Sequence, residues 1–169
     1  MASSGVFYLI ELETDGWGYW SENKAKRKAK RPSPRANGWM KERHYRKNCA
    51  SHQKKWVGKE RFLKVGISTN RHNMLDSYKR ILDRYKKENI KVLNKLYYLE
   101  IETHNLRHHK YPRKNHRKVE KMFMEKFKDK FDYSPTKWFG GWTECFTIDL
   151  KKEKKMLDNF VEKVIKEFV

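Results

Sequence analysis

Three sets of side chains in this sequence are able to do chemistry. The first is a basic run, Lys24, Lys26, Arg27, Lys28, Lys30 and Arg31, followed after two prolines by Arg35 and continued by Lys41, Arg43, Arg46 and Lys47. Cations at this density neutralise a polyanion, and nucleic acid is the commonest polyanion inside a cell. The second set is histidine and cysteine. His44, Cys49 and His52 offer three zinc ligands, but a fourth is missing and the spacing matches no standard structural site. His104, His108, His109 and His116 crowd one stretch, where they read either as contacts to phosphates or as a solvated basic loop. The third set is single residues in apolar settings: Tyr8, Lys64 between Leu63 and Val65, and Glu120 directly after Val119. A lysine so placed must face solvent or an anion. Tyr8 and Glu120 taken alone read as a hairpin tyrosine and as a helix-surface carboxylate paired with Lys121 or Arg117.

The elements that must position these residues follow from apolar spacing. Val6 to Leu12 is rich in β-formers and runs into a turn at Asp15-Gly16, giving a first strand that carries Tyr8. Phe62 to Ser68 gives a second strand carrying Lys64, and the two should pair as a hairpin whose loop is an insert over 13–61. Met74 to Lys86 has helical spacing, and Lys91 to Glu102 returns to strand character with Leu93, Tyr97, Leu99 and Ile101 on one side. A polar loop over Thr103–His116 leads into a helix whose stripe is Val119, Met122, Phe123 and Phe127. Gly140-Gly141 precedes a short strand over Trp142–Ile148, and Leu150–Val169 is an amphipathic closing helix. The predicted fold is therefore α+β: a small, mainly antiparallel sheet flanked by helices, in one domain over 1–169.

The 169 residues carry 41 Lys+Arg against 21 Asp+Glu, a net charge of +20, and the segment from Ser21 to Arg61 holds +12 of it. Lys24 to Arg31 lacks apolar periodicity and acids, so it is expected to be a flexible arm that orders against phosphates. Trp17, Trp20, Trp39 and Trp56 interleave the segment and can stack on bases or anchor the insert to the domain; anchoring is the expectation, because exposed indoles are costly. No apolar run approaches the roughly 18 residues of a membrane span, and the N-terminus has no secretory pattern. A cytoplasmic protein is expected. Two cysteines far apart exclude a disulfide scaffold.

Val6-Phe7-Tyr8 on the first strand, Lys64-Val65-Gly66-Ile67-Ser68 on the second, and Glu120 on a later helix, in that order, resemble the GIY-YIG nuclease superfamily. The second motif is similar to the phage and restriction branch, in which a Lys replaces the Tyr of YIG. Glu120 stands seven residues before Phe127, as in that family's Glu-helix, and Thr143-Glu144-Cys145-Phe146 resembles its Glu-Trp-Phe signature. The gap between the strand motifs is far longer than the family's. The resemblance implies a metal-dependent endonuclease acting on double-stranded DNA. Tyr8 would hold or deprotonate the attacking water, helped if a cation lowers its pKa from about 10, and Lys64 would supply that cation. Arg71, or Arg80 in its place, would fork onto the phosphate with His72 beside it. Glu120 would hold one Mg²⁺ or Mn²⁺. The alternative is a non-catalytic DNA- or RNA-binding module on the same scaffold.

Overall fold

The computed structural model describes residues 4–25, 38–69, 77–102, 115–130, 133, 135–141, 144–147 and 149–169. Strand β1 (Ser4–Thr14) lies at the centre of the chain's main sheet. It pairs on one side with β5 (Arg61–Thr69) and on the other with β6 (Ile90–Glu102), and β7 (Cys145–Phe146) adds to the far edge of β5. The order is β6-β1-β5-β7, antiparallel throughout. The fold is thus α+β, and the expected hairpin is the β1–β5 pair.

β1 and β5 read as nearly continuous apolar runs because both faces of the sheet are covered. Phe7, Leu9, Leu63, Val65 and Ile101 face α3 (Asn115–Lys126) and α4 (Leu150–Phe168). Phe123 centres an aromatic cluster there, with ring centroids 4.5 Å from Phe127, 5.3 Å from Phe160 and 5.6 Å from Phe146. Asp149 caps α4 by accepting a hydrogen bond from the Lys151 backbone N–H at 3.0 Å. Val6, Tyr8, Ile10, Leu12, Phe62 and Cys145 point to the opposite face, where α2 (Ser77–Lys86) contributes Ile81 and Tyr85 and the segment before β7 contributes Phe139.

Several expectations change. Leu93 does not join Tyr97, Leu99 and Ile101, because two bulges in the β1–β6 register take Leu93 and Leu96 out of the pairing. His116 belongs to the first turn of α3 and is 2% exposed, so it is a core residue and not part of a solvated loop. The insert contains folded structure: β2 (Trp17–Ser21), a short α1 (Glu22–Ala25), β3 (Trp39–Met40) and β4 (His52–Trp56) form a second antiparallel sheet of order β3-β2-β4. Its ends differ from 13–61 as well, since Glu13, Thr14 and Arg61 belong to the main sheet. The indoles brace each other across its strands. Trp17 and Trp56 meet edge to face at 5.2 Å, and Trp20 and Trp39 at 5.0 Å, while Trp56 stays 57% exposed.

What docks the insert is polar. Lys137, 1% exposed, pairs with Asp15 at 2.8 Å and with Glu42 at 3.6 Å. Glu42 also accepts from Tyr19 Oη at 2.9 Å and from Asn89 Nδ2. Glu60, where the chain returns to β5, accepts from the Thr136 N–H at 2.9 Å, Thr136 Oγ1 at 3.1 Å and Tyr133 Oη at 3.0 Å. Among the described residues no helix is long and apolar enough to cross a membrane.

Candidate active site

Alternation along β5 decides where Lys64 points. Its neighbours Leu63 and Val65 face the α3–α4 core, so Lys64 emerges on the other face, beside Tyr8. The register opposes Tyr8 to Gly66 and Ile10 to Lys64, so the phenol and the ammonium stem are neighbours on one face. Gly66 is required for this packing. A Cβ there would lie 2.4 Å from Cζ and Oη of Tyr8.

Lys64 is 3% exposed and its charge is used internally. Nζ donates to the Val65 carbonyl at 2.7 Å and pairs with Glu144 Oε2 at 3.5 Å. The turn before β7 closes over this pair through Gly141, whose φ of +91° suits glycine and whose site for a Cβ lies 2.8 Å from Lys64 Nζ and 3.0 Å from Glu144 Oε2. Glu120 reaches the same charge from α3. Burial raises its carboxyl above the usual range, Lys64 pulls it down, Glu144 pushes it up, and Arg117 pulls it down. Lys64 and Arg117 therefore act against two carboxylates that repel each other. Cys145, fully buried beside them, has its thiol pushed up to about 12 by burial, with Lys64 opposing.

Tyr8 behaves differently from the expectation. It is 1% exposed, and burial raises its hydroxyl above the ordinary phenol value, with Tyr85 adding to the rise and Lys64 and Arg84 opposing it. The nearby cations lose to desolvation, so the help that a lowered pKa would give Tyr8 is not found.

Arg80 stands on α2, half-buried, lining a cavity of about 490 Å³ next to this site. Arg84, one turn on, lines the same cavity, donates to the Gly140 carbonyl at 3.3 Å and acts on Tyr8 and Tyr85. Arg71 and His72 lie outside the described residues, as do Lys26, Arg27, Lys28, Lys30, Arg31, Arg35, His108 and His109. Of the other expected nucleic-acid contacts, Lys24 is half-buried in α1, Lys41 stacks over the Trp138 ring at 4.6 Å, and Arg43, Arg46 and Lys47 are exposed.

Sequence reasoning singled out neither Arg84 nor Glu144 as a site residue. Glu144 had a signal in the Thr143–Phe146 stretch; Arg84 had only its place four residues after Arg80 on one helix. For a divalent ion the donors present are Glu120 and Glu144, and a carboxyl whose burial favours protonation is one that a bound cation would return to its anionic form. Among the described residues no group of three or more His, Cys, Asp or Glu could hold a metal by itself, so oxygens of a phosphate would complete the shell. His52 Nδ1 accepts from the Arg46 N–H at 3.3 Å, and Cys49 Sγ lies 3.1 Å from Ser51 Oγ, which is where these two possible zinc ligands are engaged. Comparison with protein-family models, curated proteins and solved structures finds no match to this chain.

Proposed function

We propose that this protein is a metal-dependent DNA endonuclease that hydrolyses phosphodiester bonds, with Lys64 at the centre of its site. The observation that carries the reading is the buried Lys64 ammonium, paired with Glu144 at 3.5 Å on the same sheet face as Tyr8 and beside a cavity lined by arginines. Glu120 would hold one Mg²⁺ or Mn²⁺, which when bound neutralises charge building on the phosphate and its leaving oxygen. The neutral Tyr8 hydroxyl orients the attacking water by hydrogen bonding. Glu144, whose side chain is 28% exposed, would take the water's proton. Arg84 and Arg80 donate to non-bridging phosphate oxygens in a forked geometry that lysine cannot copy. Water oxygen bonds to phosphorus as the P–O bond to the leaving strand breaks, and that oxygen is reprotonated from solvent. The resemblance to the GIY-YIG superfamily and the surrounding positive charge point the same way.

A second reading, a DNA- or RNA-binding module without catalysis, draws on the near-complete burial of Tyr8 and Lys64. Supercoiled plasmid separates the two. Wild type with Mg²⁺ or Mn²⁺ should convert it to the nicked form, EDTA and Glu120→Ala should stop conversion, and Tyr8→Phe should slow it. A wild type that binds plasmid but leaves it supercoiled across metals and salts overturns the enzyme reading in favour of the module.

A further inference from the structure

We infer that the cavity between α2, the Lys41–Arg43 stretch of the insert and the Gly140 turn is a binding site for a second backbone phosphate, next to the one at Lys64. Five cations line it: Lys41 and Arg43 from the insert, and Arg80, Arg84 and Lys87 from α2 and the turn after it. Asp83 and Glu88 are the opposing carboxylates, too few to neutralise them. Glu88 is half-buried, has an oxygen without a hydrogen-bond partner, and burial favours its protonated form, which weakens its opposition to an incoming anion.

The walls fit a phosphate better than a base. Tyr85 and Phe139 contribute to the lining, but they are 1% and 0% exposed and stack on each other edge to face, so neither offers a ring face to a nucleobase. Gly140 has no side chain where a Cβ would stand 3.1 Å from an Arg84 terminal nitrogen and 3.8 Å from Lys41 Nζ, so cations from two distant parts of the chain close on one point. The same turn separates the cavity from the first site, since Gly141 abuts Lys64 and Glu144. A volume of about 490 Å³ has room for a backbone phosphate and its sugar. The insert thereby becomes a wall of the substrate site as well as a source of charge.

The choice of a nucleic-acid strand rests on the nuclease reading, so two arms are needed. In the first, the full chain is titrated calorimetrically with thymidine 3′,5′-bisphosphate, thymidine 5′-monophosphate and orthophosphate. The bisphosphate should bind about tenfold more tightly than the monophosphate, as one added set of charge-assisted hydrogen bonds would give. Lys41→Ala/Arg43→Ala should erase that difference, and Glu88→Gln should enlarge it. The charge-matched α4 variant Lys151→Ala/Lys155→Ala should leave it intact. A preference that survives in Lys41→Ala/Arg43→Ala, or falls equally in the α4 control, overturns the inference, as does orthophosphate binding equal to that of the bisphosphate. Circular dichroism establishes that the variants are folded. In the second arm, plasmid nicking is scored on wild type. Nicking without bisphosphate preference removes the second phosphate site alone, and preference without nicking removes the nuclease reading alone.

Discussion

Gly66→Ala tests whether the geometry around Lys64 is as close as described. The added methyl would sit 2.4 Å from Cζ and Oη and 2.8 Å from Cε2 of Tyr8, whereas real Cβ atoms essentially never approach another atom within 3.0 Å. The ring cannot swing into solvent, because Tyr8 is 1% exposed and packed in the core face that also holds Tyr85 and Phe139. Overpacking of this kind costs about 1–3 kcal/mol. Replacing glycine also restricts the unfolded chain, which offsets roughly 0.4–1 kcal/mol. The net loss should be about 1–2 kcal/mol, a fall in Tm of about 2–8 °C for a chain of this size. The informative measurement is a double-mutant cycle with Tyr8→Leu, by urea or thermal unfolding. With the ring gone the methyl has room, so Gly66→Ala should become neutral or slightly stabilising, and the coupling between the positions should be about 1–3 kcal/mol. Equal losses in both backgrounds would falsify the packing of Tyr8 on Gly66, as would no loss in either.

Glu120 gives a pH signature. Its carboxyl is raised in the folded state, so the stability it contributes is fully present below the unfolded value of 4.5 and is lost as pH rises through the raised one. In EDTA, Glu120→Gln should therefore gain Tm relative to wild type between about pH 4 and pH 7; a difference that does not vary with pH refutes the assignment. Lys137→Met leaves Asp15 and Glu42 without their buried cation, and because those side chains are 30% and 18% exposed the loss should be about 1–3 kcal/mol, below the 3–5 of a fully buried pair. Urea unfolding followed by tryptophan fluorescence should register it, and an unchanged midpoint would remove Lys137 as the docking point of the insert. With a disulfide-exchange reagent, Cys49, whose thiol is lowered by hydrogen bonds from Ser51, should react in the native protein. Cys145, fully buried and raised to about 12, should react only after unfolding; two fast thiols would contradict its burial.

The main sheet could be read in advance because its signal is local. Val6–Leu12 and Phe62–Ser68 are apolar at nearly every position, as strands covered on both faces must be, and α4 repeats apolar residues at helical spacing. Leu93 was misread because a bulge shifts the facing of a strand without leaving a mark in composition. The second sheet was hidden for another reason. Its strands are short, β4 is exposed along most of its length, and the order comes from indole pairs that meet across strands distant in sequence, so no alternation within one segment announces it. The site divides in the same way. Lys64 betrayed itself as a charge in an apolar strand, and Glu120 by its place beside Val119. Whether Tyr8 would be acidic depended on how much protein lies over it, which periodicity does not carry: Lys64 does favour its ionised form, and burial outweighs that.

These electrostatics also change where the positive charge matters. The protein as a whole is at +20, yet at its candidate site Glu120 and Glu144 offset Lys64 and Arg117, so the locus carries little net charge when both carboxylates are ionised. A phosphodiester finds little attraction there at short range, although the rest of the surface draws it in. On the proposed reading, a divalent cation on Glu120 would supply the positive charge at the place where the phosphate must be held. If the protein is the proposed nuclease, binding and cleavage draw on different charges: added salt should screen the exposed cations and weaken the grip on DNA, whereas removal of the metal should leave the grip and abolish the cut.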